Sequence, residues 1–127
     1  MIETEDLAFL REAMALAQQG EGAVNPNPLV GALIVRNHEV VAQGYHARYG
    51  DLHAERNAFL DADSRGVDCV GATMYVTLEP CCHHGKQPPC TEAIIEHKIS
   101  RVVVGLLDPN PLVAGKGIRQ LVEAGIE

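Results

Sequence analysis

Three segments carry residue types that can bind a metal or serve its bound water: His53-Ala54-Glu55, then Glu79-Pro80-Cys81, then Pro88-Pro89-Cys90. One imidazole and two thiolates make three ligands of a tetrahedral zinc site and leave the fourth position to water. A carboxylate two residues after the histidine is placed to take that water's proton and give it back. The pattern points to hydrolytic chemistry at an open site. A structural zinc clip would instead close the fourth position with a side chain. His84 is the obvious residue for that, and on spacing alone it competes with Cys90 as a ligand. Cys82, adjacent to Cys81, reads as a non-ligand thiol. Glu79 reads as structural, holding backbone or a partner side chain.

The elements that must position these residues follow from periodicity and punctuation. Thr4 suits a helix N-cap with Glu5 and Asp6 in the first turn, and Leu7, Leu10, Met14 and Ala17 recur on one face up to Gly20. Leu29 to Val35 and Val40 to Tyr45 read as two strands joined by a short connection, hence an antiparallel hairpin. His53 to about Ala62 is helical, Thr73–Leu78 is a third strand stopped by Pro80, and a helix from about Pro89 to His97 leads to a fourth strand, Arg101–Leu106. That strand–helix–strand spacing implies a parallel crossover. A last helix runs from Gly115 to Ala124 and ends at Gly125. The expected fold is α/β, three-layer α/β/α around a mixed sheet. Its core should contain Leu7, Leu10, Val30, Ile34, Val76, Val103 and Leu121, with His38 and His97 on the surface. Residues two apart do not share a helix face, so His53 and Glu55 converge only on a site beyond the helix N-terminus. Cys90 opens the next helix, whose N-terminus favours thiolate. The metal is therefore expected between two helix starts.

Composition limits the alternatives. A chain of 127 residues makes one domain with a real core, and 46% hydrophobic with 21% charged residues is ordinary for a globular protein. No apolar run approaches the roughly 20 residues of a membrane span. The acidic start, Met1 to Asp6, lacks the layout of a secretory signal, which points to the cytoplasm. There thiols more often bind metal than form disulfides. A net charge of −7 argues against a nucleic-acid-binding face.

His53-Ala54-Glu55 with Pro80-Cys81 matches the first part of the zinc-deaminase pattern, but position 84 is histidine where the short pattern has cysteine. The stretch Glu79-Pro80-Cys81-Cys82-His83-His84-Gly85-Lys86-Gln87-Pro88-Pro89-Cys90 instead resembles the riboflavin-pathway branch of the cytidine deaminase-like superfamily, the diaminohydroxyphosphoribosylaminopyrimidine deaminases. There the second cysteine ligand follows a proline pair. Asn27-Pro28-Leu29-Val30-Gly31-Ala32 and Asp108-Pro109-Asn110-Pro111-Leu112-Val113-Ala114-Gly115 look like that branch too, and the resemblance runs from the first helix to the end of the chain.

The resemblance implies Zn2+ on His53, Cys81 and Cys90, with Glu55 shuttling protons. It implies substrate contacts from Asn27, His46, His83, Lys86, Asp108 and Asn110. On residue type alone, Asn27, Asp108 and Asn110 would be turn formers, His46 a satisfied structural histidine, and His83 and Lys86 members of a solvated basic loop. The implied substrate is a small phosphorylated pyrimidine, 2,5-diamino-6-ribosylamino-4(3H)-pyrimidinone 5′-phosphate, with no nucleic acid or membrane partner and assembly as a homo-oligomer. Position 82 is commonly serine in these deaminases and is Cys82 here. Many members continue into a reductase domain that these 127 residues do not contain, and the chain stops at Ile126-Glu127, about where a fifth strand is expected. Two other readings start from the same residues. One is a deaminase for tRNA adenosine, guanine or cytosine, which would usually show the short Cys-x-x-Cys. The other is a non-enzymatic zinc module.

Overall fold

A computed structural model of the chain describes residues 4–20, 29–46, 53–80, 90–106 and 114–126. Helix α1 (Thr4–Ala17) runs into a 3₁₀ turn (Gln18–Gly20) and is followed by β1 (Gly31–Arg36) and β2 (Glu39–Tyr45). Next come α2 (Ala54–Ser64), β3 (Thr73–Leu78), α3 (Cys90–Glu96), β4 (Arg101–Leu106) and α4 (Lys116–Glu123). The sheet order is β2-β1-β3-β4, with β1 antiparallel to both β2 and β3, and β3 parallel to β4. The expected mixed sheet, hairpin and parallel pair are all present. The hairpin turns through Asn37 and His38, both at positive φ, which lets a two-residue connection match the strands' twist.

Strand alternation divides the core in two. Ala32, Ile34, Met74 and Val76 face Ala58 and Phe59 of α2, Ile94 of α3 and Leu121 of α4. Leu33, Val35, Tyr75 and Val103 face the other way, onto Ala13 and Leu16 of α1. The sheet thus lies between helices on both sides, as a three-layer α/β/α arrangement. Ile34, Met74 and Ile94 are completely buried, and each such side chain contributes about 1.5–3 kcal/mol. Of the expected core, Ile34, Val76, Val103 and Leu121 are buried, while Leu10 and Val30 are half-buried.

Leu7 and Met14 correct the expected face of α1: both are exposed, and the buried line is Asp6, Ala13, Leu16 and Ala17. Two contacts set this rotation. A methyl group on Gly31 would stand 2.1 Å from the Ala13 carbonyl oxygen, so the helix backbone lies directly on β1, where only small residues fit between. At the helix start, the Asp6 carboxylate accepts from Tyr75 Oη at 2.6 Å and from both Arg101 terminal nitrogens at 2.9 and 2.8 Å. His97 is a second correction. It is half-buried and stacks on Phe59 at 3.9 Å between ring centroids, tying α3 to α2. Its Nδ1 lies 2.8 Å from the Ala93 carbonyl oxygen, which can only accept, so that nitrogen carries a proton. His38 is exposed, as expected, with Nδ1 2.6 Å from Glu5.

Candidate active site

The registers place the C-terminal ends of β2, β3 and β4 at one end of the sheet, with the beginning of β1. His46 follows β2 there, its amide donating to the Val30 carbonyl at 3.1 Å. Helix α2 returns from this end along the sheet, and its seat on β2 is unusually close. A methyl group on Gly44 would lie 2.3 Å from the Ala58 nitrogen and 2.6 Å from the Ala54 carbonyl oxygen. Glycine at 44 therefore lets the first turns of α2 rest on the strand backbone. Two side chains of the helix then bond the strand: Asn57 Nδ2 donates to the Tyr45 carbonyl at 2.9 Å, and Asp61 Oδ2 accepts from the Gln43 amide at 2.9 Å. The start of α2 is held in place by backbone contact and by hydrogen bonds.

His53 is the N-cap of α2, in extended geometry, and its side chain does not cap the helix. It reaches instead to α3, where Cys90 is the first helical residue and almost fully buried. His53 Nδ1 and Cys90 Sγ stand 3.4 Å apart. Zinc bond lengths of about 2.0–2.1 Å to nitrogen and about 2.3 Å to sulfur, at a tetrahedral angle, separate two donors by about 3.5 Å. The pair has the spacing of two ligands sharing one zinc. Glu55, in the first turn of α2, is buried. His46 is buried against His53, the rings meeting edge to face at 5.5 Å.

The structure therefore brings together His46, His53 and Cys90, and makes Glu55 the second residue of the helix that His53 caps. Cys81, His83, Lys86, Asn27, Asp108 and Asn110 lie outside the described residues, as do Cys82 and His84. Among the described residues no three His, Cys, Asp or Glu side chains cluster as a metal site. Cys69 and Cys90 are unbridged. Cys69 is the chemically quiet one: burial, then the Asp63 and Asp68 carboxylates, push its thiol up from the ordinary value, so it stays protonated and inert.

Glu79 carries a role that its position before Pro80-Cys81 only partly suggested. Its Oε1 accepts from the Gly115 amide at 2.9 Å and its Oε2 from Gly117 at 2.8 Å and Ile118 at 3.3 Å. The expectation that it holds backbone is met, and the backbone is the start of α4. A signal for this was available in the sequence: a glycine pair, Gly115 and Gly117, at a helix start is a ready receptor for a carboxylate.

Residues 3–106 match the family model for the cytidine and deoxycytidylate deaminase zinc-binding region. The chain belongs to that family. It is 58% identical over 122 residues, 96% of its length, to the riboflavin biosynthesis protein RibD of Actinobacillus pleuropneumoniae, of which the match covers 32%. Among solved structures it is similar to the Thermotoga maritima diaminohydroxyphosphoribosylaminopyrimidine deaminase/5-amino-6-(5-phosphoribosylamino)uracil reductase. The TM-score is 0.91 at 50% identity, over 97% of this chain and 35% of that one. RibD of Acinetobacter baumannii is comparable, with a TM-score of 0.90 at 45% identity, over 97% of this chain and 34% of that one. The chain spans about a third of the length of these relatives. The resemblance read from the motifs and the cytidine deaminase-like fold are both shown. Among the described residues, no helix is long and apolar enough to cross a membrane.

Proposed function

We propose that this chain is a zinc-dependent deaminase that hydrolyses 2,5-diamino-6-ribosylamino-4(3H)-pyrimidinone 5′-phosphate to 5-amino-6-ribosylaminouracil 5′-phosphate and ammonia. The observation that carries this reading is the 3.4 Å approach of His53 Nδ1 to Cys90 Sγ beside a helix turn holding buried Glu55. The substrate class rests on the similarity to the Thermotoga maritima enzyme, whose name specifies that pyrimidine. His53, Cys81 and Cys90 would hold the metal. Zinc bound there supplies Lewis-acid activation of water near neutral pH.

The chain's own residues do the rest. Glu55 takes a proton onto its carboxylate, gives it to the ring nitrogen as oxygen adds to the amino-bearing carbon, and supplies the proton that lets the amine depart. One water is consumed, a carbon–oxygen bond forms, the carbon–nitrogen bond breaks and ammonia leaves. The seat of α2 on Gly44 keeps His53 and Glu55 in fixed relation, so the proton moves without rearrangement of the helix. His46, against the His53 ring, borders the substrate. Asn27, His83, Lys86, Asp108 and Asn110 contact it, with Lys86 and His83 at its phosphate or carbonyl groups. The protein works in the cytoplasm as a homo-oligomer, and the reductase step belongs to a further domain or to a separate protein.

The test is ammonia release by the zinc-loaded protein offered the phosphorylated diaminopyrimidinone, cytidine and guanine in parallel. Turnover of the first alone is expected. Preference for cytidine or guanine would move the chain to another deaminase branch, and no ammonia from any of them would leave a zinc module without catalysis.

A further inference from the structure

Helix α4 touches both chain segments that lead to the two sulfur donors. Toward the first, Glu79 is fixed twice: its amide donates to the Leu106 carbonyl at 2.8 Å, extending the β3–β4 ladder, and its carboxylate takes the Gly115, Gly117 and Ile118 amides. The next residue, Pro80, is buried against the same helix. A methyl group on Gly117 would stand 2.2 Å from the Pro80 carbonyl oxygen, so backbone meets backbone there. Toward the second, the Thr91 hydroxyl, fully buried beside Cys90, donates to Gln120 Oε1. Gly117 and Gln120 are three apart and lie on one helix face.

We propose that α4 is a brace for the metal centre, with Glu79 as its main positioning residue: it sets the separation between the segment entering Cys81 and the one beginning at Cys90. This rests on the reading that both cysteines bind the metal. In this role Glu79 is a positioning residue and not itself a ligand. It acts by anchoring the residue two before a ligand to the helix that also holds the residue after the other ligand. Three backbone donors converging on one carboxylate make that anchor specific, because a glutamine amide offers acceptors on one side only and presents N–H to N–H on the other.

The measurement is zinc affinity by chelator competition, with the visible spectrum of the cobalt(II)-substituted protein as a second readout. Glu79→Gln is expected to weaken zinc about 10- to 100-fold, the range for residues that support ligands, and to alter the cobalt–thiolate bands. Gln120→Leu removes only the Thr91 arm and should weaken zinc by less, in the same direction. It also reads the brace should Glu79→Gln fail to fold. Asp6→Asn, on the far face of the sheet, is the control for lost stability and should leave affinity and spectrum unchanged. Wild-type affinity and spectrum in Gln120→Leu and in folded Glu79→Gln would remove the brace alone. A wild-type protein that binds no zinc would remove the metal reading first, and the brace with it.

Discussion

Each face of the sheet carries a helix whose first turn holds a buried carboxylate, Asp6 in α1 and Glu55 in α2, and each is 3% exposed. Their neighbours differ in kind. Both Asp6 oxygens face the Arg101 fork, and Oδ1 also accepts from Tyr75. A planar guanidinium matched to a carboxylate in this way holds a permanent charge in one geometry. Glu55 belongs to a turn that begins at His53, whose ring meets Cys90 and His46. Imidazole and thiolate are groups able to ligate a metal, the use the proposed function gives to His53 and Cys90. Burial of a carboxylate therefore does not mark catalysis in this fold. On the proposed function, the kind of group nearby separates a carboxylate locked to a guanidinium from one that serves a metal-bound water.

The comparison breaks most sharply at Glu55. Glu55→Gln preserves shape and removes the proton acceptor, so ammonia release should fall about 10²–10⁴-fold while zinc content stays at the wild-type level. Metal analysis and turnover on the same preparation check both halves. Near wild-type turnover would transfer the role to another residue.

This contrast was half visible in the sequence. His53-Ala54-Glu55 and the two cysteine segments follow from residue types at set spacing, and β3 and β4 fall where their β-branched runs and Pro80 place them. Asp6 was legible only as a favourable charge near a helix start, because its partners Tyr75 and Arg101 are 69 and 95 residues away. Without that pair, the leucine and methionine spacing of α1 pointed to a face from which the structure leaves Leu7 and Met14 in water. Gly31 and Gly44 were equally opaque. A strand glycine signals a close approach of some kind, and only the packed helix shows that α1 and α2 make it. Glu79 was readable as a backbone holder, but not as a link to residues 36 to 39 positions later.

On the α1 face the expected effect is on stability, not turnover. Asp6→Asn leaves Arg101 without its counter-charge in a site where the guanidinium is about a quarter exposed. Full burial would set the loss at about 3–5 kcal/mol; partial exposure brings it to about 2–3 kcal/mol. Urea midpoints should show that shift, with turnover per folded molecule unchanged. Loss of turnover without loss of stability would mean that the two faces are coupled.

The finest distinction lies in Tyr75, whose ionisation is pushed up from the ordinary value of 10.0, first by burial and then by the hydrogen bond and charge of Asp6, against a smaller opposing pull from Arg101. Below pH 10 the phenol is protonated in both folded and unfolded chains and adds no pH dependence. Above it the unfolded chain gives up the proton while the folded chain keeps it. The unfolded state then binds fewer protons, and stability falls by about 1.4 kcal/mol per pH unit until the folded phenol also ionises. Tyr75→Phe abolishes this term at a neutral-pH cost of about 1 kcal/mol for the lost hydrogen bond. The remaining alkaline titrations are common to both proteins and cancel in the difference. Plotted against pH, the stability gap should be flat up to pH 10, then close and reverse as the wild type loses ground. Asp6→Asn should narrow that window without removing it, since burial of the ring outlasts the carboxylate's share. A gap that stays constant above pH 10 would mean that the phenol is not held protonated on this face.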